Sequence, residues 1–232
     1  MNALGEFWVH GDGLIQALAL LLLGMSVLSW VLIAWKAWLL KRARADIGRA
    51  VPAFWAAASL ADGRQRLLAL DREALLLPLL DAALAAPAPA ALEAQGPAQA
   101  QRTRRLRDAL HQGVAHLQQG QVWLASVGST APFVGLLGTV WGVYGALAGI
   151  GDQGAVGIDA VSGPIGEALV MTAAGIAVAV PAVLGYNVFG QWVAACEAEL
   201  EGFAHDLRAQ FPEGIVEAGA EPLAPTKVDN PP

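Results

Sequence analysis

The stretch GSTAPFVGLLGTVWGVYGALAGIG, residues 128–151, decides how the chain is read. It is long and apolar enough for a membrane helix, yet it carries a small residue at almost every turn. Each glycine costs a helix interior about 0.5–1 kcal/mol relative to alanine. Gly128, Gly135, Gly142 and Gly149 recur every seven residues, and Ala131, Gly138 and Gly145 interleave with them in steps of three and four. That spacing lays a stripe of small side chains down one helix face. In lipid, helices gain little from hydrophobic burial against each other and associate by close van der Waals contact, which small residues permit. The stripe therefore predicts that another helix lies tightly along this face. It can close a three-helix monomer or meet a neighbouring subunit. Three spans offer little internal surface for so long a stripe, which favours the oligomer.

Outward from that stretch, composition sets the class. Of 232 residues, 56% are hydrophobic and 15% charged, where a soluble domain carries about 25% charged residues. The apolar residues gather in three long runs, so the expectation is an all-α membrane protein with three transmembrane helices. We place these at residues 13–35, 122–150 and 164–195. The first run is not expected to be a cleaved signal, because residues 1–12 hold no Lys or Arg and include Glu6 and Asp12.

Charge placement predicts the topology. All 14 Lys and Arg fall in residues 36–107 or at Arg208 and Lys227, and none lies in 1–35 or 122–207. The positive-inside rule then puts residues 1–12 outside, 36–121 in the cytoplasm, the 151–163 hairpin outside and 196–232 inside. Trp30, Trp35 and Trp38 suit an inner aromatic belt, with Phe7 and Trp8 near the outer surface. Lys36, Lys41, Arg42 and Arg44 suit contact with anionic membrane lipid or serve only as topology signals. The single cysteine, Cys196, excludes a disulfide within one chain.

The cytoplasmic region reads as helices. The first span is expected to continue through KAWLLKRARADIGRAVPAFWAAASL, with a break before Pro52. GRQRLLALDREALLLPLLDAALAA has leucines at helical spacing and reads as a second helix. APAPAALEAQGPAQA reads as a flexible connector. QRTRRLRDALHQGVAHLQQGQ is expected to run unbroken into the second span. The tail after Phe211, rich in Pro, Gly and Glu, is expected to be disordered. His10, His111, His116 and His205 are scattered, and no Cys/His metal spacing, phosphate loop or nucleophile–base pair is evident. No enzyme activity, cofactor, metal or nucleic-acid partner is expected.

The polar residues inside the spans carry the functional reading. Glu167 is the lone acidic residue between Asp159 and Glu197. A charge at a helix centre costs about 2.5–3.5 kcal/mol on insertion scales, so such residues usually face a cavity or a partner. Pro164 offers a bland alternative, a helix start with Glu167 in the first turn, where the helix dipole favours a carboxylate. Position alone leaves both open. Thr139 and Thr172 are the other buried polar groups of interest, and either hydroxyl can also bond back to its own helix. Thr172 lies five residues beyond Glu167, about 140° around the helix, so the two do not share one narrow face. Pro181 implies a kink in mid-span.

GSTAPFVGLLGTVWGVYGAL followed by GPIGEALVMTAAGIAVAVPAVLGYN resembles the MotA/TolQ/ExbB proton-channel family. The first span and its basic flank agree more loosely. Within the family the GSTAPF stretch resembles the ExbB branch more than TolQ, and three spans disagree with the four of the flagellar stator branch. The resemblance implies a homopentamer in the inner membrane of a Gram-negative bacterium. It would enclose the single-span helices of an ExbD-like dimer and use the proton-motive force to drive a TonB-like protein for uptake of siderophores, haem or cobalamin. It maps pore-lining roles onto Thr139, Glu167 and Thr172, and leaves the proton-carrying aspartate to the ExbD-like partner. The rivals are a TolQ-like subunit serving outer-membrane integrity and a non-conducting structural scaffold. A stand-alone transporter is disfavoured by three spans without an inverted repeat.

Overall fold

The computed structural model describes residues 13–85, 97–153 and 159–211. The expected N-terminal segment, most of the Ala/Pro connector, the centre of the 151–163 hairpin and the tail lie outside the described residues. Among the described residues six helices follow in order: α1 Gly13–Trp55, α2 Leu60–Leu70, α3 Leu77–Leu84, α4 Ala98–Gln118, α5 Gln121–Gln153 and α6 Asp159–Gln210. No strand occurs among the described residues. Among the described residues three helical stretches are long and apolar enough to cross a membrane, in Gly13–Trp55, Gln121–Ala148 and Ser162–Gln210.

The chain divides into two units, and α1, α4 and α6 contribute residues to each. The first holds residues 13–44 and 115–196 of the described chain. Its large apolar side chains are mostly outside: Phe133, Leu136, Leu137, Val140, Leu169, Val170 and Leu184 are all exposed. Small residues such as Ala131, Ala168, Ala179 and Ala182 are buried. That inversion suits a helix bundle whose solvent is hydrocarbon. Ser29 meets the same condition by donating to the Met25 carbonyl at 2.8 Å.

The second unit holds residues 45–114 and 197–211 of the described chain. Its core is leucine and phenylalanine: Leu67, Leu76, Leu79, Leu80, Leu200 and Leu207 are fully buried, and Phe54 meets Phe203 edge-on at 5.4 Å. Gly63 admits the Phe54 ring, which a Cβ there would touch at 2.9 Å. Asp46, whose side chain is 3% exposed, is held by Arg72 at 2.6 Å and Arg49 at 3.0 Å. Burial works to raise its carboxyl, and the two guanidiniums outweigh it, holding Asp46 below the usual carboxylate range.

Three local expectations are corrected. α1 runs through Pro52 to Trp55. Pro52 sits in the last turn, where Ala56 still donates to its carbonyl at 3.0 Å, so the proline costs little there. The leucine-rich helix is split, because the Asp71 carboxylate accepts from the amides of Leu75, Leu76 and Leu77 and starts α3 anew. Ser59 likewise caps α2, accepting from the Asp62 amide at 3.2 Å. The helix expected to enter the second span unbroken stops at Gln118, and Gly120, with φ +81°, turns the chain into α5. Positive φ is cheap for glycine and ends a helix.

Candidate functional site

The stripe on α5 meets α6 of the same chain. A Cβ on Gly135 would lie 2.6 Å from the Met171 carbonyl oxygen and 3.1 Å from the Gly175 Cα; one on Gly175 would lie 2.6 Å from the Ala131 carbonyl oxygen. The two glycines face each other where the backbones come closest. Gly128 lies against Val183, Gly138 against Met171, and Gly142 against Ala168 and the Ile15 tip of α1. Gly145 has nothing within 4 Å, and the surroundings of Gly149 lie outside the described residues. The stripe therefore does not by itself call for a neighbouring subunit, since α6 occupies that face. α6 carries a matching heptad that sequence reading missed, Ala168, Gly175 and Ala182, all buried. Its seven-residue spacing was the signal that would have paired it with α5.

Just beyond the glycine crossing, Thr139 of α5 and Thr172 of α6 bring their hydroxyls together across the helix pair. Thr139 Oγ1 also reaches the Ala168 carbonyl at 2.9 Å and the Gly135 carbonyl at 3.2 Å, and Thr172 Oγ1 lies 3.5 Å from the latter. A hydroxyl has one proton and two lone pairs. Thr139 thus has three acceptors for one proton, and its hydrogen bond can pass among them without any heavy atom moving far. Both side chains are half-buried. In an apolar bundle this is a polar joint that fixes α5 against α6 and remains partly accessible.

Glu167 is placed elsewhere. It is exposed and lines a cavity of about 540 Å³ between α1 and α6, with Leu22 and Ser26 of α1 and Val170 and Met171 of α6. The structure brings the two threonines together and leaves the carboxylate on a different side of α6, in line with the five-residue separation.

Sequence reading also missed Lys36, treated only as a basic flank. Its side chain is 1% exposed and donates to the carbonyls of Leu117 and, at 2.6 Å, Gln119. An ammonium at the final carbonyls of α4 meets the negative end of the helix dipole. Trp35 and Leu32 pack on the adjacent Gly120, so one stretch of α1 clamps the α4–α5 joint. Only the pairing of positions more than eighty residues apart reveals this, and no local pattern encodes it.

Residues 74–202, more than half of the chain, match the MotA/TolQ/ExbB proton channel family. The chain belongs to that family. The match includes the whole of the α5–α6 contact and both threonines. A protein named biopolymer transport protein ExbB from Xanthomonas campestris pv. campestris is 54% identical over 111 residues, 48% of this chain and 44% of that protein. One of the same name from Neisseria gonorrhoeae is 49% identical over 107 residues, 46% of this chain and 49% of that protein. A third, from Pseudomonas putida, is 37% identical over 113 residues, 49% of this chain and 34% of that protein. The alignments span half or less of the length of these relatives. The MotA/TolQ/ExbB family is one of proton channels and not of enzymes.

Proposed function

We propose that the chain is the ExbB-like subunit of an inner-membrane motor driven by the proton-motive force. In this reading the spans lie at 13–35, 122–150 and 164–195, with the N-terminus outside and residues 36–121 and 196–232 in the cytoplasm. Five copies enclose an ExbD-like dimer and drive a TonB-like protein that energises outer-membrane uptake of siderophores, haem or cobalamin. The rest of the basic flank of α1, Lys41, Arg42 and Arg44, meets anionic lipid at the inner face, whereas Lys36 is buried against the α4–α5 joint.

The observation that carries the reading is the hydroxyl pair of Thr139 and Thr172 on the two membrane-length helices that match the family. A proton crossing 100 mV releases about 2.3 kcal/mol. That energy does work only where a partner's proton-carrying group is bound differently in two states. Thr139, with three alternative acceptors, can rearrange its hydrogen bond to suit each state. Glu167, on another side of α6, would face the same partner only if the pore surface is broad.

The test is iron-limited growth of cells whose only copy carries Thr139→Val with Thr172→Val, or Glu167→Ala, with assembly followed on native gels. We expect the double threonine variant to assemble and to lose uptake by about tenfold or more, in the range seen when one positioned polar group is removed from a working site. Wild-type uptake by an assembled threonine variant would sink the reading. Glu167→Ala then separates a transducing carboxylate, with uptake lost, from a helix-start residue, with uptake kept.

A further inference from the structure

Two groups of arginines stand out in the second unit. Arg49, Arg64, Arg66 and Arg72 each hold an aspartate, at 3.0, 3.1, 2.7 and 2.6 Å. Arg104, Arg107 and Arg208 have no carboxylate partner among the described residues, yet all three line one open groove of about 560 Å³ beside the first turns of α4. Arg104 and Arg107 are three apart on α4 and share a face. Thr103 adds a hydroxyl to the lining, and Pro97, Gln99 and Ala100 complete it. The neighbouring cavity, which shares Arg107 and Arg208, has Glu201 on its wall, so the anion-seeking part is the end toward Arg104. Three converging guanidiniums call for an extended anionic occupant with several carboxylates.

We propose that the occupant is the chain's own tail, residues 212–232, docked through Glu213, Glu217 and Glu221. The first three charged residues after Arg208 are these glutamates, spaced four apart, and the single tail cation, Lys227, comes only afterwards. Glu213 follows Arg208 by five residues and Glu217 by nine, spans of at most about 17 and 30 Å when extended. Each solvent-exposed arginine–carboxylate contact is weak by itself, so a free acidic peptide would bind poorly. Tethering changes that. A short link gives an effective concentration of about millimolar, enough to fill a weak site made of several contacts. Docking would neutralise the groove and cover the start of α4.

The test uses the full chain in its assembled complex, in vesicles, with Gln99→Cys in the groove and Val216→Cys in the tail. Cys196 is 1% exposed and is retained. The control replaces Gln99→Cys with Leu68→Cys on the exposed side of α2, where Leu68 is 62% exposed. We expect the groove pair to form an intrachain disulfide at least about fivefold faster than the control, the order of a tethered, populated contact. The excess should vanish with Glu213→Gln, Glu217→Gln and Glu221→Gln together, and with about 0.5 M salt, which shrinks the Debye length to a few ångströms. Equal rates for groove and control would overturn the proposal, as would cross-links between chains only. An excess seen in phosphatidylcholine vesicles but lost in phosphatidylglycerol vesicles would give the groove to lipid and overturn it equally. Wild-type and triple-Gln chains compared by trypsin cleavage at Arg104 and Arg107 supply a readout without cysteines. Faster cleavage in the triple-Gln chain is expected, and no difference counts against docking.

Discussion

The two units solve the same problem, holding helices together, with opposite materials. Between α5 and α6 the buried residues are mostly small, among them Gly135, Gly138, Gly142, Ala131, Ala168 and Gly175, with Met171 packed on Gly138, while Leu136, Leu137, Leu169 and Leu184 are exposed. In the second unit Leu67, Leu76, Leu79, Leu80, Leu200 and Leu207 are inside with Phe54 and Phe203, and the Arg64–Asp81 and Arg66–Asp62 pairs line the outside. The difference follows from the solvent each unit is built for. Water drives apolar side chains inward at about 25 cal/mol per Å² buried. Hydrocarbon does not, so contact must come from backbones close enough for dispersion and for hydroxyls to reach carbonyls across the gap.

The sharpest way to break this contrast is to put bulk at the glycine crossing. Gly135→Leu and Gly175→Leu each drive a Cβ to 2.6 Å of a carbonyl oxygen on the facing backbone, which no rotamer change relieves. We expect loss of the folded chain, measured as the disappearance of assembled complex in detergent. The counterpart in the second unit is milder: Gly63→Ala brings a Cβ to 2.9 Å of the Phe54 ring, a side chain rather than a facing backbone. If Gly135→Leu assembled normally, the small-residue contact would not be what joins α5 to α6.

Next in size is Lys36→Met, which keeps the buried stem and removes the ammonium from the carbonyls of Leu117 and Gln119. Losing charged donors from buried carbonyls costs about 1–3 kcal/mol each. The expected result is faster amide exchange at residues 120–124 and a lower melting temperature, with α2 and α3 unaffected. Uniform loosening of both units would contradict a clamp local to the α4–α5 joint.

These two variants also mark what could be read in advance. The three apolar runs, the glycine heptad and the polar trio of Thr139, Thr172 and Glu167 were legible, because periodicity and lone polar groups in lipid are local signals. The break at Gly120 was not, because the residues on either side keep a helical pattern and the Lys36 that bonds its flanking carbonyls is more than eighty residues away. The turn at Asp71 hid for a related reason: Leu67 before it and Leu75 and Leu76 after it are all buried, so the leucine pattern runs across a break in the helix. The stripe itself was plain while its partner was not. A heptad of small residues says that something packs closely, and only the second heptad on α6 says what.

A smaller effect tests the second unit's charges. The Asp46 carboxyl is held below its usual range, so its contribution is complete above the unfolded value of about 3.9 and disappears as the pH falls through the folded value. Asp46→Asn should cost about 1–2 kcal/mol at neutral pH, the size of a hydrogen bond to a charged group. It should also flatten the acid limb of a melting-temperature profile below about pH 4. A variant that melts like the wild type at neutral pH, yet steepens in acid, would mean that Arg72 and Arg49 do not stabilise the folded carboxylate.

Smallest, and most useful as a control, is Gly145→Ala. Gly145 belongs to the same stripe as Gly135 by spacing, yet a Cβ there meets nothing within 4 Å. If helical pattern alone made these glycines necessary, the substitution would harm assembly as the others do. If contact makes them necessary, alanine gains the helix preference of about 0.5–1 kcal/mol and costs nothing in fit. We expect unchanged or slightly raised thermal stability in detergent and full assembly. A clear loss of assembled complex with α5 still helical would locate a neighbour on that face which the single chain lacks, and so would return this end of the stripe to contact between subunits.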